Sequence, residues 1–145
     1  MAGVVRAMAA FGAANDAMDA AVADVLGINR TDLAILGVIQ AAGQATASQV
    51  SRGVGLSASA TTTAIGRLVA AGLVDRAVDQ DDRRRVDLRL TDQALRRTRE
   101  LYGPLETDGA ALLATLSPGH LRVVERLLVA SSDHLLAHAE RVRSS

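Results

Sequence analysis

The sequence predicts a mainly α-helical protein with one small β-hairpin. Three observations support this fold class. Segments near both ends repeat apolar side chains at intervals of three and four residues, which is typical of helices with one buried face. The middle of the chain holds two short helical patterns that glycines separate. From residue 73 to residue 90, apolar and polar side chains then alternate, as they do in the strands of a hairpin.

The first predicted helix carries an apolar stripe that no neighbouring segment is suited to cover. The stripe consists of Val4, Met8, Phe11, Asn15, Met18, Val22 and Val25. Gly27 ends this helix, and Thr31 can cap a second, shorter one. A heptad-like stripe of this length requires a distant segment or a second subunit to pack against it.

The middle segment predicts two short helices that a tight turn joins. Thr46 can cap the first with its side-chain oxygen, and Gly53 and Gly55 punctuate it, as a turn between steeply crossed helices requires. Ser57 can cap the second helix, and Gly72 can end it in left-handed backbone. A helix-turn-helix followed by a β-hairpin is the order of elements in a winged helix-turn-helix.

The second short helix has two different faces. The positions expected to be buried are Ala60, Ala64, Ile65, Leu68 and Ala71. The opposite face carries small side chains and one arginine: Ser59, Thr62, Thr63, Gly66 and Arg67. A helix fits the major groove of duplex DNA, where threonine hydroxyl and methyl groups can contact base edges. An ordinary solvent-exposed helix face is the alternative interpretation.

A cluster of arginines follows the predicted turn of the hairpin, 79–82. A basic wing tip can reach a neighbouring minor groove, although a solvated turn paired with nearby aspartates is the alternative. The position of the cluster after a candidate recognition helix favours DNA. The predicted DNA-binding residues are Ser57, Ser59, Thr62, Thr63, Arg67, Arg76, Arg83, Arg84 and Arg85.

Two more helices are predicted after the hairpin. Thr91 can cap the first, and we expect Gly103-Pro104 to kink or break it. Ser117 followed by Pro118 is a typical start for the last helix. The stripe of that helix consists of Leu121, Val124, Leu128, Ser131, Leu135, His138 and Val142.

The charge of the chain is unevenly distributed although its formal net charge is zero. Residues 51–99 hold ten arginines against six aspartates, a net charge of +4. Residues 1–50 and 100–145 each carry a net charge of −2. The positive charge therefore coincides with the predicted winged helix, which is the asymmetry that a polyanion-binding module needs.

The middle segment also resembles the multiple-antibiotic-resistance regulator (MarR) family. LSASATTTAIGRLVAAGLVDR is similar to the recognition helix of that family, and DQDDRRRVDLRLT is similar to its wing. Asp82 and Arg84 match the Asp-x-Arg pattern of the family's wing. GINRTDLAILGVI is similar to the helix that precedes the family's DNA-binding core. Thr63 and Gly66 stand where many relatives carry Arg and Asp.

The resemblance implies one domain over residues 1–145, with a winged-helix lobe at about 31–91 and dimerisation helices at about 3–27 and 118–142. It implies a homodimeric transcription regulator, most often a repressor, that binds a pseudo-palindromic operator in double-stranded DNA. It also implies a small-molecule effector, for which Phe11, Arg30 and Tyr102 are the candidate contacts. A winged helix that contacts protein instead of DNA is the alternative function, and a regulator without an effector is a third.

The sequence also argues against several other classes of protein. Because there is no cysteine, disulfides and thiol chemistry are excluded. His134 and His138 are four residues apart, but without further ligands at matching spacing they are a weak metal pattern, so we predict no metal and no cofactor. No catalytic motif is present, and we do not expect an enzyme. No apolar segment is long enough to span a membrane, and the cytoplasm is the expected compartment.

Overall fold

The computed structural model describes residues 1–78 and 86–144, and within these ranges it contains six helices and three strands. The helices are α1 (Ala2–Leu26), α2 (Arg30–Ala42), α3 (Ala47–Val54), α4 (Ala58–Ala70), α5 (Asp92–Leu113) and α6 (Pro118–Arg143). The strands are β1 (Ala45–Thr46), β2 (Val74–Val78) and β3 (Val86–Leu90). The predicted fold class, a mainly α winged helix-turn-helix with long terminal helices, is confirmed.

The three strands form one antiparallel sheet in the order β1-β3-β2. β2 and β3 are the two arms of the predicted hairpin and pair from Val74 with Leu90 to Val78 with Val86. β1 lies on the other edge of β3, with Ala45 opposite Leu88. The sequence did not predict β1 because two residues are too few to show an alternating pattern. This short strand joins the start of α3 to the base of the wing.

Side-chain caps begin several helices where the sequence predicts them. Thr46 forms a capping box at the start of α3: its hydroxyl accepts from the Gln49 backbone N–H, and the Gln49 side chain accepts from the Thr46 backbone N–H. The predicted cap at Thr31 is wrong. Asn29 caps α2 instead, because its side-chain oxygen accepts from the backbone N–H of Asp32 at 2.8 Å.

Two glycines and one proline show where the helical pattern ends and where it does not. Gly55 ends α3 at φ 69°, and Gly72 follows α4 at φ 68°, so both adopt the left-handed backbone that a glycine tolerates. Of the kink or break predicted at Gly103-Pro104, the break is wrong, because α5 continues through Pro104. The kink stays a prediction. A proline removes only one backbone donor. The remaining hydrogen bonds of a 22-residue helix are enough to keep α5 continuous.

The chain forms two compact units, Met1–Leu101 and Tyr102–Ser145. Among the described residues, the buried apolar side chains all belong to the first unit, between Val22 and Ala94. Ile35, Ile39 and Leu68 are the largest of those that are fully buried. The core of the first unit is therefore built around α2 and α4. Packing against this core determines which face of α4 points outward.

The two terminal helices leave most of their apolar side chains in solvent. Residues 1–17 are all exposed, and α1 buries only Val22, Ala23 and Leu26 near its end. α6 contains no buried residue. In its stripe Leu128 is 52% exposed and Leu135 is 66% exposed. None of the helices in the described ranges is both long enough and apolar enough to cross a bilayer.

Candidate nucleic-acid interface

The buried face of α4 holds it against the core of the first unit. Its buried residues are Thr61, Ala64, Ile65 and Leu68. Ala60 and Ala71, which the sequence predicted to be buried, are exposed. Thr61 takes the buried position because its hydroxyl donates to the Ser57 carbonyl at 2.8 Å, so that its polar atom has a partner away from water.

The opposite face of α4 points into solvent. Ser59, Thr62, Thr63 and Gly66 are all exposed, as the sequence predicted. Ser57 caps the helix, and its Oγ accepts from the Ala60 backbone N–H at 3.2 Å. The hydroxyls of Ser57 and Ser59 lie 3.2 Å apart and form a hydrogen bond. The start of α4 is thus a surface of small hydroxyl-bearing side chains.

Two neighbouring threonines on this face use their hydroxyl hydrogens within the helix. Thr62 Oγ1 donates to the Ala58 carbonyl at 2.9 Å, and Thr63 Oγ1 donates to the Ser59 carbonyl at 3.1 Å. A threonine hydroxyl has one donor and two acceptor lone pairs. Because both residues are exposed, each keeps a methyl group and acceptor lone pairs that these two hydrogen bonds do not use.

Arg67 joins α4 to the start of α2 through a two-point ion pair with Asp32. Its Nη2 donates to Oδ1 at 2.6 Å, and its Nε donates to Oδ2 at 3.1 Å. The Asp32 side chain is 3% exposed, whereas that of Arg67 is 50% exposed. The hydrogen bond to Asp32 raises the pKa of Arg67 above its usual value and thereby favours the charged form of the guanidinium.

The sequence predicted Arg67 as a DNA contact but gave no partner for it. Asp32 lies 35 residues earlier, and such a distance hides the pairing in a single sequence. The local signal was the capping pattern from Asn29 to Asp32, which places the carboxylate in the first turn of α2. Asn29 Nδ2 also donates to Asp32 Oδ2 at 3.2 Å. The capping residue and the arginine therefore hold the same carboxylate.

The wing contributes one described arginine of the predicted set. Arg76 is exposed on β2, opposite Leu88. Arg83, Arg84 and Arg85 lie outside the described residues.

A polar chain that the sequence did not predict links the wing to the turn before β1. Arg89 on β3 donates from Nε to the Gln44 side-chain oxygen at 2.9 Å. Gln44 Nε2 in turn donates to the buried Asp87 at 3.4 Å. Gln44 therefore contacts two side chains of β3 and helps to hold the base of the wing in place.

Comparison with known proteins shows which family this arrangement resembles. A model of the MarR family matches residues 26–85, which include α2, α3, α4 and β2. The uncharacterized HTH-type transcriptional regulator YcgE of Bacillus subtilis is 28% identical over 123 residues, 85% of this chain and 80% of the relative. The winged-helix segment of the chain is therefore similar to the MarR family.

Solved structures of MarR, of a MarR-family protein and of MepR have the same fold. A MarR-family protein from Bacillus stearothermophilus superposes with a TM-score of 0.70 at 22% identity, over 93% of this chain and 94% of that one. The apo form of MarR from E. coli has a TM-score of 0.61 at 21% identity, over 87% and 93% of the two chains. A MepR variant from S. aureus, bound to an oligodeoxyribonucleotide, has a TM-score of 0.60 at 17% identity, over 93% and 98%.

The three residues predicted to contact an effector are not gathered within either unit of this chain. Phe11 on α1 is exposed, and Arg30 forms an exposed ion pair with Asp16 at 2.6 Å. Both belong to the first unit, whereas the partly buried Tyr102 begins the second. An open concavity on the second unit contains none of the three and is lined by Arg122, Glu125, Arg126, Val129, Ala130 and Asp133. The effector contacts stay a prediction.

Proposed function

We propose that this chain is a MarR-like transcription regulator that binds double-stranded DNA in a sequence-specific manner as a repressor. The observation that carries the proposal is the outward face of α4. It is exposed, it bears short polar side chains, and the core and the Asp32–Arg67 ion pair fix its orientation. A helix presented in this way can enter the major groove with its side chains against base edges.

The charge of the winged helix supports a nucleic-acid partner. Residues 51–99 carry a net charge of +4, whereas the chain as a whole carries none. Arg76 is exposed on the wing, and Arg83, Arg84 and Arg85 follow it in the sequence, outside the described residues. Positive side chains that neutralise phosphates release counterions, and this release supplies much of the affinity for DNA. A MepR variant with the same fold has been solved bound to an oligodeoxyribonucleotide, which supports DNA as the partner.

A second copy of the chain is the partner that the terminal helices require. Every residue of the first four turns of α1 is exposed, and α6 buries nothing. Their exposed apolar side chains include Val4, Val5, Phe11, Val123, Leu127, Leu128, Leu135, Leu136 and Val142. Apolar surface on this scale marks an interaction site rather than a free surface. We assign it to a homodimer with two recognition helices, which bind half-sites one helical turn apart, about 34 Å.

An effector can act on such a dimer by changing the spacing of its two recognition helices. A ligand that binds one spacing better than the other shifts the population of dimers toward that spacing. The affinity for DNA then changes by the coupling free energy between the ligand site and the DNA site. Phe11, Arg30 and Tyr102 are the residues with which we would begin a search for the effector site.

Selection of bound sequences from random duplex DNA tests the proposed function directly. We expect the full-length protein to enrich a sequence with two inverted half-sites. Its affinity should fall steeply with salt, with a log-log slope of about −0.9 for each phosphate neutralised. Failure to enrich any sequence, together with binding that is insensitive to salt, would instead favour a winged helix that contacts another protein.

A further inference from the structure

We infer that Thr62 and Thr63 read thymine in the half-site through their methyl groups and do not read guanine. The inference rests on the proposed function, because it specifies the bases that the outward face of α4 prefers. It follows from the acceptors that already bind the side-chain donors of Thr62, Thr63 and Arg67.

Guanine requires donors from the protein, and the hydroxyl donors of Thr62 and Thr63 are engaged within the helix. In the major groove guanine shows two acceptors, N7 and O6. The hydroxyl hydrogens of Thr62 and Thr63 are bonded to the carbonyls of Ala58 and Ser59. Turning either hydroxyl toward guanine would exchange one hydrogen bond for another, so guanine gains no advantage at these positions.

Arg67 is the side chain of this face that could bind guanine with two donors, but its Nε and Nη2 donors are already engaged. Arginine reads guanine through two parallel N–H donors. In this chain Nε and Nη2 already form such a pair of bonds with the Asp32 carboxylate. Because that carboxylate is buried, releasing Arg67 to a base would leave a buried charge without its partner. Arg67 is therefore a positioning residue for α4 rather than a reader of guanine.

The groups that remain match an A·T pair. Each threonine offers a methyl group and an acceptor oxygen. Thymine offers a methyl group at C5, and the adenine paired with it offers the N6 amino donor. Cytosine also offers an amino donor, but it lacks the methyl group. Contact between two methyl groups removes apolar surface from water, and the loss of one methyl group corresponds to about a fourfold change in affinity.

A coupled substitution of protein and DNA tests this assignment. The probe is a duplex that carries the sequence enriched from random DNA, with each half-site thymine replaced singly by deoxyuridine, which lacks only the methyl group. We expect one or two thymines in each half-site at which the replacement weakens wild-type binding about fourfold. Thr63→Ser, which keeps the hydroxyl and loses the methyl group, should weaken binding by the same factor on the thymine duplex. It should show no further loss on the corresponding deoxyuridine duplex.

The matched variant Thr63→Val keeps a methyl group and removes the hydroxyl. It should retain the preference for thymine over deoxyuridine, and Thr62→Ser and Thr62→Val should behave alike at their own thymine. Equal melting temperatures of the variants exclude damage to the fold. An enriched half-site without thymine overturns the inference. It is also overturned if the loss of binding free energy from Thr63→Ser and the loss from deoxyuridine are additive. If no sequence is enriched at all, the proposed function itself fails.

Discussion

Asp32 and Arg67 connect the first turn of α2 to the last turns of α4 across 35 residues of sequence. The carboxylate is buried and receives two N–H donors from the guanidinium and a third from the Asn29 side chain. The backbone N–H of Asp32 donates in turn to the Asn29 side-chain oxygen, so Asn29 and Arg67 both hold Asp32. This arrangement fixes the rotation of the candidate recognition helix relative to the core.

Replacing Asp32 by asparagine should destabilise the chain. The size of the side chain is unchanged, but its charge is lost and an amide N–H group faces the guanidinium. Because the carboxylate is buried, we expect the free energy of unfolding to fall by on the order of 1–3 kcal/mol, measured by urea denaturation.

Asp16→Asn is the matched control for that variant. Asp16 pairs with Arg30 at the same 2.6 Å distance, but both side chains are more than half exposed. Exposed ion pairs contribute little, so the change should stay within about 0.5 kcal/mol. Equal losses for the two variants would show that burial of Asp32 does not set the strength of its pairing.

Gly53 and Gly66 should respond in opposite directions to alanine. A Cβ on Gly53 in α3 would lie 2.9 Å and 3.1 Å from the two methyl groups of Val38 in α2, whereas a Cβ on Gly66 in α4 meets nothing within 4 Å. The branched side chain of Val38 has little freedom to move aside. We expect Gly53→Ala to destabilise the chain by about 1–3 kcal/mol.

Gly66→Ala should stabilise the chain by about 0.5–1 kcal/mol, since alanine favours the interior of a helix over glycine. Thermal unfolding of both variants followed by circular dichroism measures the two effects side by side. A higher melting temperature for Gly53→Ala would mean that α2 and α3 do not approach as closely as the structure indicates.

The features that the sequence predicted correctly are those fixed by a few neighbouring residues. The capping box at Thr46 needs only Gln49, and the turn at Gly55 needs only its own backbone freedom. The start of α2 was misplaced because two residues close together, Asn29 and Thr31, can both cap a helix. Asn29 is the cap because its side-chain oxygen accepts a hydrogen bond from the backbone N–H of Asp32.

The features that the sequence missed depend on residues far apart in the chain. The pairing of β1 with β3 joins residues 45 and 88, and Gln44 meets Asp87 and Arg89 across a similar separation. Thr61 was assigned to neither face of α4, because a threonine is buried only where its hydroxyl finds a backbone acceptor. Hydrophobic spacing alone cannot show that such an acceptor is available.

Sedimentation should show a dimer of twice the 15.1 kDa chain mass at micromolar concentration. Leu128 on α6 is 52% exposed in the single chain, so Leu128→Asp should leave the subunit folded and release it as a monomer. A charge inside the proposed interface would lack a partner and would be costly to bury. A wild-type chain that sediments as a sharp monomer would contradict the proposed dimer.

Val22→Asp is the informative comparison, because Val22 belongs to the same kind of apolar stripe but is 2% exposed within the subunit. This variant should lose its helical circular dichroism rather than merely dissociate. The two aspartate variants therefore separate the core of the subunit from the surface that we assign to its partner.

The last prediction separates the contribution of the wing from that of α4. Arg84 follows the predicted turn of the wing in sequence and carries a charge, so it should contribute through backbone phosphates and groove shape. Arg84→Ala should weaken binding to the selected operator and to random DNA alike and reduce the salt slope by about one unit. Thr63 carries no charge and faces outward from α4. Thr63→Ala should therefore cost on the order of 1 kcal/mol on the operator, much less on random DNA, with the salt slope unchanged.

The difference in slope decides between the two roles, because either variant could weaken binding by damaging the fold. Equal melting temperatures for Arg84→Ala, Thr63→Ala and the wild type must therefore accompany the titrations. If Arg84→Ala leaves both affinities and the salt slope intact, the wing does not engage DNA. The positive charge of residues 51–99 would then serve another acidic partner, and a winged helix that contacts protein would become the better account of this chain.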